Sequence, residues 1–319
     1  MRALVYDGRV RLREDWPRPR PARDEVLVAV RKAGICATDL EVARGYMDFS
    51  GVMGHEFVGE VVGGSRRWKG RRVVAEINCV CGRCRMCRGG LANHCLRRTV
   101  LGISGRDGVF AEFVALPARN LHEVPPTVSD QEAVFVEPLA AAMQVARQVK
   151  LAASDSVVVL GDGRLGQLVA RVLKRRRLRR LVLVGRHAAK LEAAEKQGVQ
   201  GLLVEDFVPA QDADVVVEAT GQPAGLALAM RAVRPRGTIV LKSTFAAGEA
   251  INLSPLVVNE LTVLGSRCGP FGDAIAALAA REIDVAALIS AEFPLSEGPA
   301  ALAAAAEGDK LKVLLDTQR

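Results

Sequence analysis

Aromatic side chains are scarce in this chain: Phe, Trp and Tyr together make up 4% of its 319 residues. The core therefore has to be built mainly from Val, Leu, Ile and Ala. Long apolar runs are missing too, and none reaches the roughly 20 residues that a membrane-spanning helix needs. The opening Met1-Arg-Ala-Leu-Val-Tyr6 is followed by charges at Asp7 and Arg9, so it lacks signal-peptide anatomy. These absences predict a cytoplasmic protein with no membrane partner. Internal repeats and low-complexity linkers are also absent. What remains is ordinary globular composition, 50% hydrophobic and 25% charged, in a chain longer than one core usually serves, which predicts two domains.

Cysteine is the conspicuous presence, with seven residues. In a reducing compartment dense cysteines read as metal ligands before disulfides. Cys81, Cys84, Cys87 and Cys95 stand at C-x2-C-x2-C-x7-C spacing. Short loops of this kind let four sulfurs converge on one tetrahedral ion, for which Zn2+ is the default. This set predicts a closed, structural site. Cys79 reads as a small strand residue and Cys268 as a buried hydrophobe. A second set, Cys36, His55, Glu56 and Glu137, mixes soft and hard donors. That mixture suits a reactive metal that keeps one position open.

The formal charge is +8, and arginines cluster at Lys174–Arg177 and Arg179–Arg180. No stacking aromatics interleave this run, so it reads as the solvated end of a helix, where cations suit the helix dipole, rather than as a nucleic-acid surface. The competing class is a non-enzymatic, zinc-stapled nucleotide- or RNA-binding protein that uses this run. Such a module has no need for Cys36, His55, Glu137 and Thr38 together.

Residues 1 to about 138 carry short β-branched or alternating segments at Met1–Tyr6, Val10–Arg13, Glu25–Lys32, Phe57–Val62 and Arg72–Ile77, punctuated by Gly and Pro. From about residue 139 apolar strands alternate with amphipathic helices, which predicts parallel βαβ units. The first strand, Val157–Leu160, runs into Gly161-Asp-Gly163-Arg164-Leu165-Gly166. A lone GxGxxG is weak, but between a strand and a helix it predicts a dinucleotide pyrophosphate site. The next strand ends in Gly185-Arg186-His187, without the acid that binds the ribose hydroxyls of NAD. A cation beside that gap suits a 2′-phosphate, so NADP is favoured over NAD.

Gly34-Ile-Cys36, Gly54-His-Glu56, the four-cysteine lobe, Glu137-Pro-Leu139, Gly161–Gly166 and Glu218-Ala-Thr-Gly221 occur in one order. With them the chain resembles, essentially end to end, the medium-chain dehydrogenase/reductase superfamily, specifically its zinc-dependent alcohol and polyol dehydrogenases. The resemblance implies an α/β protein. A GroES-like β-rich catalytic domain would take residues 1–138 and 268–319, with a structural zinc lobe at about 78–98, and a Rossmann doubly wound parallel-sheet domain would take 139–267. It implies a catalytic zinc on Cys36, His55 and either Glu56 or Glu137. Sorbitol- and threonine-dehydrogenase types carry a glutamate at the place of Glu137, and liver-type enzymes a cysteine. Thr38 would take the proton of the substrate hydroxyl. Glu41 stands where the family commonly ends that relay with a histidine. Thr220 and Gly221 would join the cofactor site. The expected reaction is hydride transfer between a secondary alcohol, polyol or sugar and NADP or NAD. The family's dimers or tetramers commonly form through the last strand of the nucleotide domain, here near Leu261–Gly265.

Overall fold

Short β-branched runs open the chain and pair at once. In the computed structural model, which describes residues 1–244 and 251–319, Ala3–Tyr6 (β1) lies antiparallel to Val10–Arg13 (β2). Glu25–Gly34 (β3) alternates inward Val26, Val28 and Val30 with half-exposed neighbours, as a strand with one buried face requires. Its last residues deliver the chain to a one-and-a-half-turn helix, Ala37–Val42 (α1). Gly51–Val52 (β4) pairs with β1, and Glu56–Gly63 (β5) with β3. Arg72–Ala75 (β6), Asn78–Cys79 (β7), the helical turn Arg85–Arg88 (α2), Thr99–Leu101 (β8), Gly105–Arg106 (β9), Phe113–Pro117 (β10) and Leu121–Glu123 (β11) follow. Asp130–Ala133 (α3) is capped by Ser129, whose hydroxyl accepts from the Glu132 N–H. Val136–Gln148 (α4) then carries the chain onward.

The second unit spans Pro138–Pro270. Its elements alternate as Ser156–Leu160 (β12), Arg164–Lys174 (α5), Arg180–Gly185 (β13), Ala188–Glu195 (α6), Gln200–Leu203 (β14), Ala213–Glu218 (β15), Pro223–Ala232 (α7), Val233–Leu241 (β16), Ser254–Val258 (α8) and Thr262–Gly265 (β17). Among the described residues the strands form one parallel sheet in the order β14-β13-β12-β15-β16-β17. The order reverses between β12 and β15, and that reversal is where doubly wound sheets bind dinucleotides. Every residue of β12 is buried, as expected for a strand covered on both faces. The basic run leaves the end of α5 in solvent, and Arg179 and Arg180 turn back to Asp214 and Asp212.

The chain then returns to the first unit, Met1–Glu137 with Phe271–Arg319, through Phe271–Ala279 (α9), Ile289–Pro294 (β18), Gly298–Ala306 (α10) and Lys312–Asp316 (β19). β19 inserts between β18 and β3, with Leu314 opposite Gly34. The sheet runs β11-β6-β5-β3-β19-β18, and β10 pairs with the first half of β3, residues 25–29, where β19 pairs with residues 32–34. Its core is mostly aliphatic, as composition required, with Phe49, Phe57, Phe110, Phe135 and Phe271 set among the aliphatic side chains, and it encloses one lysine, Lys312, with no exposed surface. Cys79 lies buried in β7, whereas Cys268 is only half-buried, which corrects its reading as a core hydrophobe.

Candidate active site

Cys36 caps the start of α1, immediately beyond β3, and His55 and Glu56 open β5. One carboxylate fixes both segments. Asp39, fully buried, accepts the Cys36 N–H at its Oδ2 (2.7 Å) and faces His55 Nδ1 with its Oδ1 (3.1 Å). This bond orients the ring and leaves Nε2 for a metal, the usual support of a ligating histidine. Burial pushes the His55 imidazole down, but the Asp39 carboxylate and the neighbouring Cys36 outweigh it and hold it well above 6.5. Cys36, His55 and Glu56 each offer a donor atom, all within 4.8 Å of one another.

Glu56 has no exposed surface. Its Oε2 is bound by the Lys312 ammonium of β19, which also lies 3.4 Å from the Ile35 carbonyl and 5.6 Å from the centre of the Phe135 ring. Its Oε1 has no hydrogen-bond partner among the described residues. A buried carboxylate oxygen without a partner is costly, and here it belongs to a cluster whose other donors suit a divalent cation. The residues therefore fit a zinc ion, with Cys36, His55 and Glu56 as holders. Gly34 makes this packing sterically possible: a Cβ there would lie 2.6 Å from Val134 Cγ1 and 2.8 Å from Glu56 Oε2.

Glu137, half-buried in the first turn of α4, is outside that three-residue set. Thr38 sits on α1 with its Oγ1 3.8 Å from Cys36 Sγ. Glu41 follows one turn later and is paired with Arg44 at 2.6 Å. In the stretch between Cys36 and His55, Phe49 is buried in the core, Met47 is exposed at positive φ and Tyr46 is half-exposed.

The four thiols of the lobe converge. Cys84 Sγ lies 3.5 Å from Cys87 Sγ and 3.8 Å from Cys95 Sγ, and Cys95 Sγ lies 3.5 Å from Cys81 Sγ. A tetrahedron with Zn–S bonds of about 2.3 Å has edges of about 3.8 Å. Backbone N–H groups of Cys87 and Leu96 pull the Cys84 thiol down to about 6, whereas desolvation pushes Cys87 up to about 11. The sulfurs fit a closed four-thiolate zinc.

In the second unit the loops at the ends of β12, β13 and β15 assemble the glycine signature. Gly161 turns at φ +107°, and a Cβ on Gly166 would fall 1.8 Å from the Gly161 carbonyl oxygen, so only glycine lets α5 start this close to β12. Gly163 has nothing within 4 Å of where a Cβ would be, which leaves room for a pyrophosphate at the start of α5, with Arg164 and Leu165 in its first turn. At the end of β15 the buried Glu218 accepts from the Thr220 N–H (2.8 Å) and hydroxyl (2.6 Å), while the Gly221 N–H donates to Ser243 Oγ (2.8 Å). Gly185 ends β13 and the exposed Arg186 follows it. These residues fit a dinucleotide.

The family described as "Alcohol dehydrogenase GroES-like domain" matches residues 22–126, and that described as "Zinc-binding dehydrogenase" matches 165–282. The chain belongs to the zinc-dependent medium-chain dehydrogenases/reductases. A sorbitol dehydrogenase of Halalkalibacterium halodurans is 29% identical over 95% of this chain and 94% of that protein. An Escherichia coli CFT073 alcohol dehydrogenase structure complexed with NADH is 27% identical, with a TM-score of 0.89 over 99% of both chains. A putative zinc-binding dehydrogenase from Sinorhizobium meliloti 1021, bound to NADP, is 29% identical, with a TM-score of 0.88 over 99% of this chain and 98% of that one.

Against this dehydrogenase framework, two residues of the site left only weak traces in the sequence. Asp39 left a signal, an acid three residues beyond Cys36 at a helix start. Lys312 left a fainter one, a lysine heading the apolar run Val313-Leu-Leu315.

Proposed function

We propose that this chain is a zinc-dependent oxidoreductase that transfers hydride between a secondary alcohol, polyol or sugar-type substrate and a nicotinamide dinucleotide, NADP favoured. The observation that carries the reading is the convergence of Cys36, His55 and Glu56 within 4.8 Å around an unpartnered buried carboxylate oxygen. When bound, zinc would supply a Lewis acid that eases loss of the alcohol proton, and the nicotinamide would accept the hydride.

The chain's own residues do the positioning. Asp39 locks the His55 ring and the Cys36 backbone with the two oxygens of one carboxylate. Lys312 offsets the charge of Glu56 through Oε2 and leaves Oε1 without a hydrogen-bond partner among the described residues. Thr38 Oγ1, beside Cys36, would relay the substrate hydroxyl proton, giving up its own as it accepts, and Glu41, next on the same helix face and paired with Arg44, carries the carboxylate that would receive it. Glu137, the second glutamate of the site, is the alternative third ligand. Cys81, Cys84, Cys87 and Cys95 hold a structural zinc. Gly161, Gly163, Arg164, Leu165, Gly166, Gly185, Thr220 and Gly221 form the cofactor cradle. Arg186, exposed and without an ion pair among the described residues, meets the 2′-phosphate.

Relatives support both cofactors, with one neighbour bound to NADH and another to NADP. The sorbitol dehydrogenase relative supports a polyol-type substrate. No helix among the described residues is long and apolar enough to cross a membrane. Seven free thiols support a reducing, cytoplasmic setting. The edge of β17, with Val257, Val258 and Val263 exposed nearby, supports a homodimer or homotetramer formed through that strand.

The test is a panel of polyols, sugars, amino alcohols and simple secondary alcohols with NAD+ and NADP+, before and after chelation, alongside metal analysis. About two zinc ions per chain and chelator-sensitive oxidation are expected. Full activity in protein shown to be metal-free would refute the reading.

A further inference from the structure

No acid follows β13, where Val184 is succeeded by Gly185-Arg186-His187. A carboxylate nevertheless occupies the place, supplied by a neighbouring loop. Asp162, between the first two glycines of the cradle, lays its side chain over the end of β13. Its Oδ2 accepts the N–H groups of Arg186 (2.9 Å) and His187 (2.7 Å) and lies 3.0 Å from His187 Nδ1. A Cβ on Gly185 would lie 2.3 Å from Asp162 Cβ and 2.4 Å from its Oδ2. Glycine at 185 and the acid at 162 are thus sterically one unit. All three of these contacts fall on Oδ2, and among the described residues Oδ1 accepts no hydrogen bond. The side chain is buried but not sealed, with the residue 6% exposed.

In doubly wound dinucleotide sites the acid at the end of the second strand reads the adenine-side ribose through its hydroxyls. We propose that Asp162 performs this recognition from the glycine loop and sets cofactor choice against Arg186. The proposal rests on the nucleotide-binding reading above and adds the residue that determines specificity within it. Oδ1 keeps its lone pairs for a ribose hydroxyl. A 2′-phosphate at the same place meets a like charge, which is unfavourable at short range. The exposed Arg186 guanidinium, one residue beyond Gly185, attracts that phosphate. Two side chains of opposite sign act on one substituent, so NAD retains a specific contact while NADP gains one and loses another. A carboxylate that only tied down the 185–187 loop would leave the choice between the two cofactors unaffected by its charge.

Fluorescence titration of the zinc-loaded protein with NADH and NADPH reads this directly, without turnover. Asp162→Asn keeps an oxygen acceptor for the loop N–H groups and removes the charge. The ratio Kd(NADH)/Kd(NADPH) is expected to rise about tenfold or more, because NADPH tightens and NADH weakens. A folded D162N protein whose ratio stays within about twofold of wild type overturns the proposal. Asp162→Ser reads the same ratio should D162N fail to fold. Wild-type protein supplies an independent arm: 2′-deoxy-5′-AMP should compete with NADH about tenfold more weakly than 5′-AMP. Equal competition overturns the ribose contact. A protein that binds neither NADH nor NADPH would sink the nucleotide reading itself, whereas binding of both with an unshifted ratio sinks only the role of Asp162.

Discussion

Replacing Lys312 by Met tests the reactive site through stability alone. Lys312 and Glu56 are both without exposed side-chain surface, and their ion pair is the only direct partner of either Glu56 oxygen among the described residues. Methionine fills most of the volume of the lysine stem, so the packing against Phe135 changes little. The charge on Glu56 then stands buried and uncompensated. Breaking such a pair from one side costs about 3–5 kcal/mol. For a unit of this size that corresponds to a fall in Tm of roughly 6–20 °C in metal-stripped protein. Zinc loading should recover much of the loss, because a divalent ion beside Oε1 supplies the missing countercharge. A second substitution, Glu56→Gln, removes the stranded charge and should make the double variant more stable than K312M alone. Thermal unfolding followed by circular dichroism, with and without zinc, measures all four combinations. K312M within about 0.5 kcal/mol of wild type in metal-free protein, or a double variant no better than the single, would refute the pairing as described.

Asp39→Asn removes one of the two acceptor oxygens that bind Cys36 and His55, and zinc affinity at that site should fall about 10–100-fold, read by competition with a chromophoric chelator. Unchanged affinity would remove Asp39 from the support of the site. Cys95→Ser should cost about one zinc per chain and open the lobe around residues 81–95 to protease, while zinc bound by Cys36 and His55 persists. An unaltered metal content would argue against a four-thiolate site. Burial raises Glu132, Asp214 and Glu292, but Ser129, the Ser156 N–H and Lys32, respectively, outweigh it and hold these carboxyls below their ordinary values. Folded-state values below the unfolded ones mean stability that is complete above the ordinary values, 4.5 for the glutamates and 3.8 for the aspartate, and lost as the pH falls below them through the lowered folded-state values. The acid slope of Tm should flatten in the E132Q/D214N/E292Q variant, and an unchanged slope would show that other groups govern it.

Fold class was readable from patterning because the two halves obey different periods. Glu25–Gly34 alternates, while Val157–Leu160 is apolar throughout, and these are the signatures of one-faced and two-faced strands. The thiolate lobe was readable because its ligands are close in sequence. The reactive site was readable only in part. Cys36 and His55 announce themselves by residue type, but the partner of Glu56 arrives from the far end of the chain, and no local pattern connects the two. Cys268 was misjudged because residue type reports average burial, whereas its actual place follows β17 in a half-exposed stretch. Asp162 went unread for a different reason. The acid that fills the space at the end of β13 comes from a different loop, so the end of that strand carries no trace of it in the sequence.

The position of β19 in the chain has a consequence for biosynthesis. Glu56 and its countercharge are separated by 256 residues, so every residue of the nucleotide unit leaves the ribosome between them. At about 5–20 residues per second the nascent Glu56 waits roughly 13–50 s for its lysine. A translation product arrested before residue 312 would carry a whole nucleotide unit and an unfinished catalytic lobe, its carboxylate open to any divalent ion at hand.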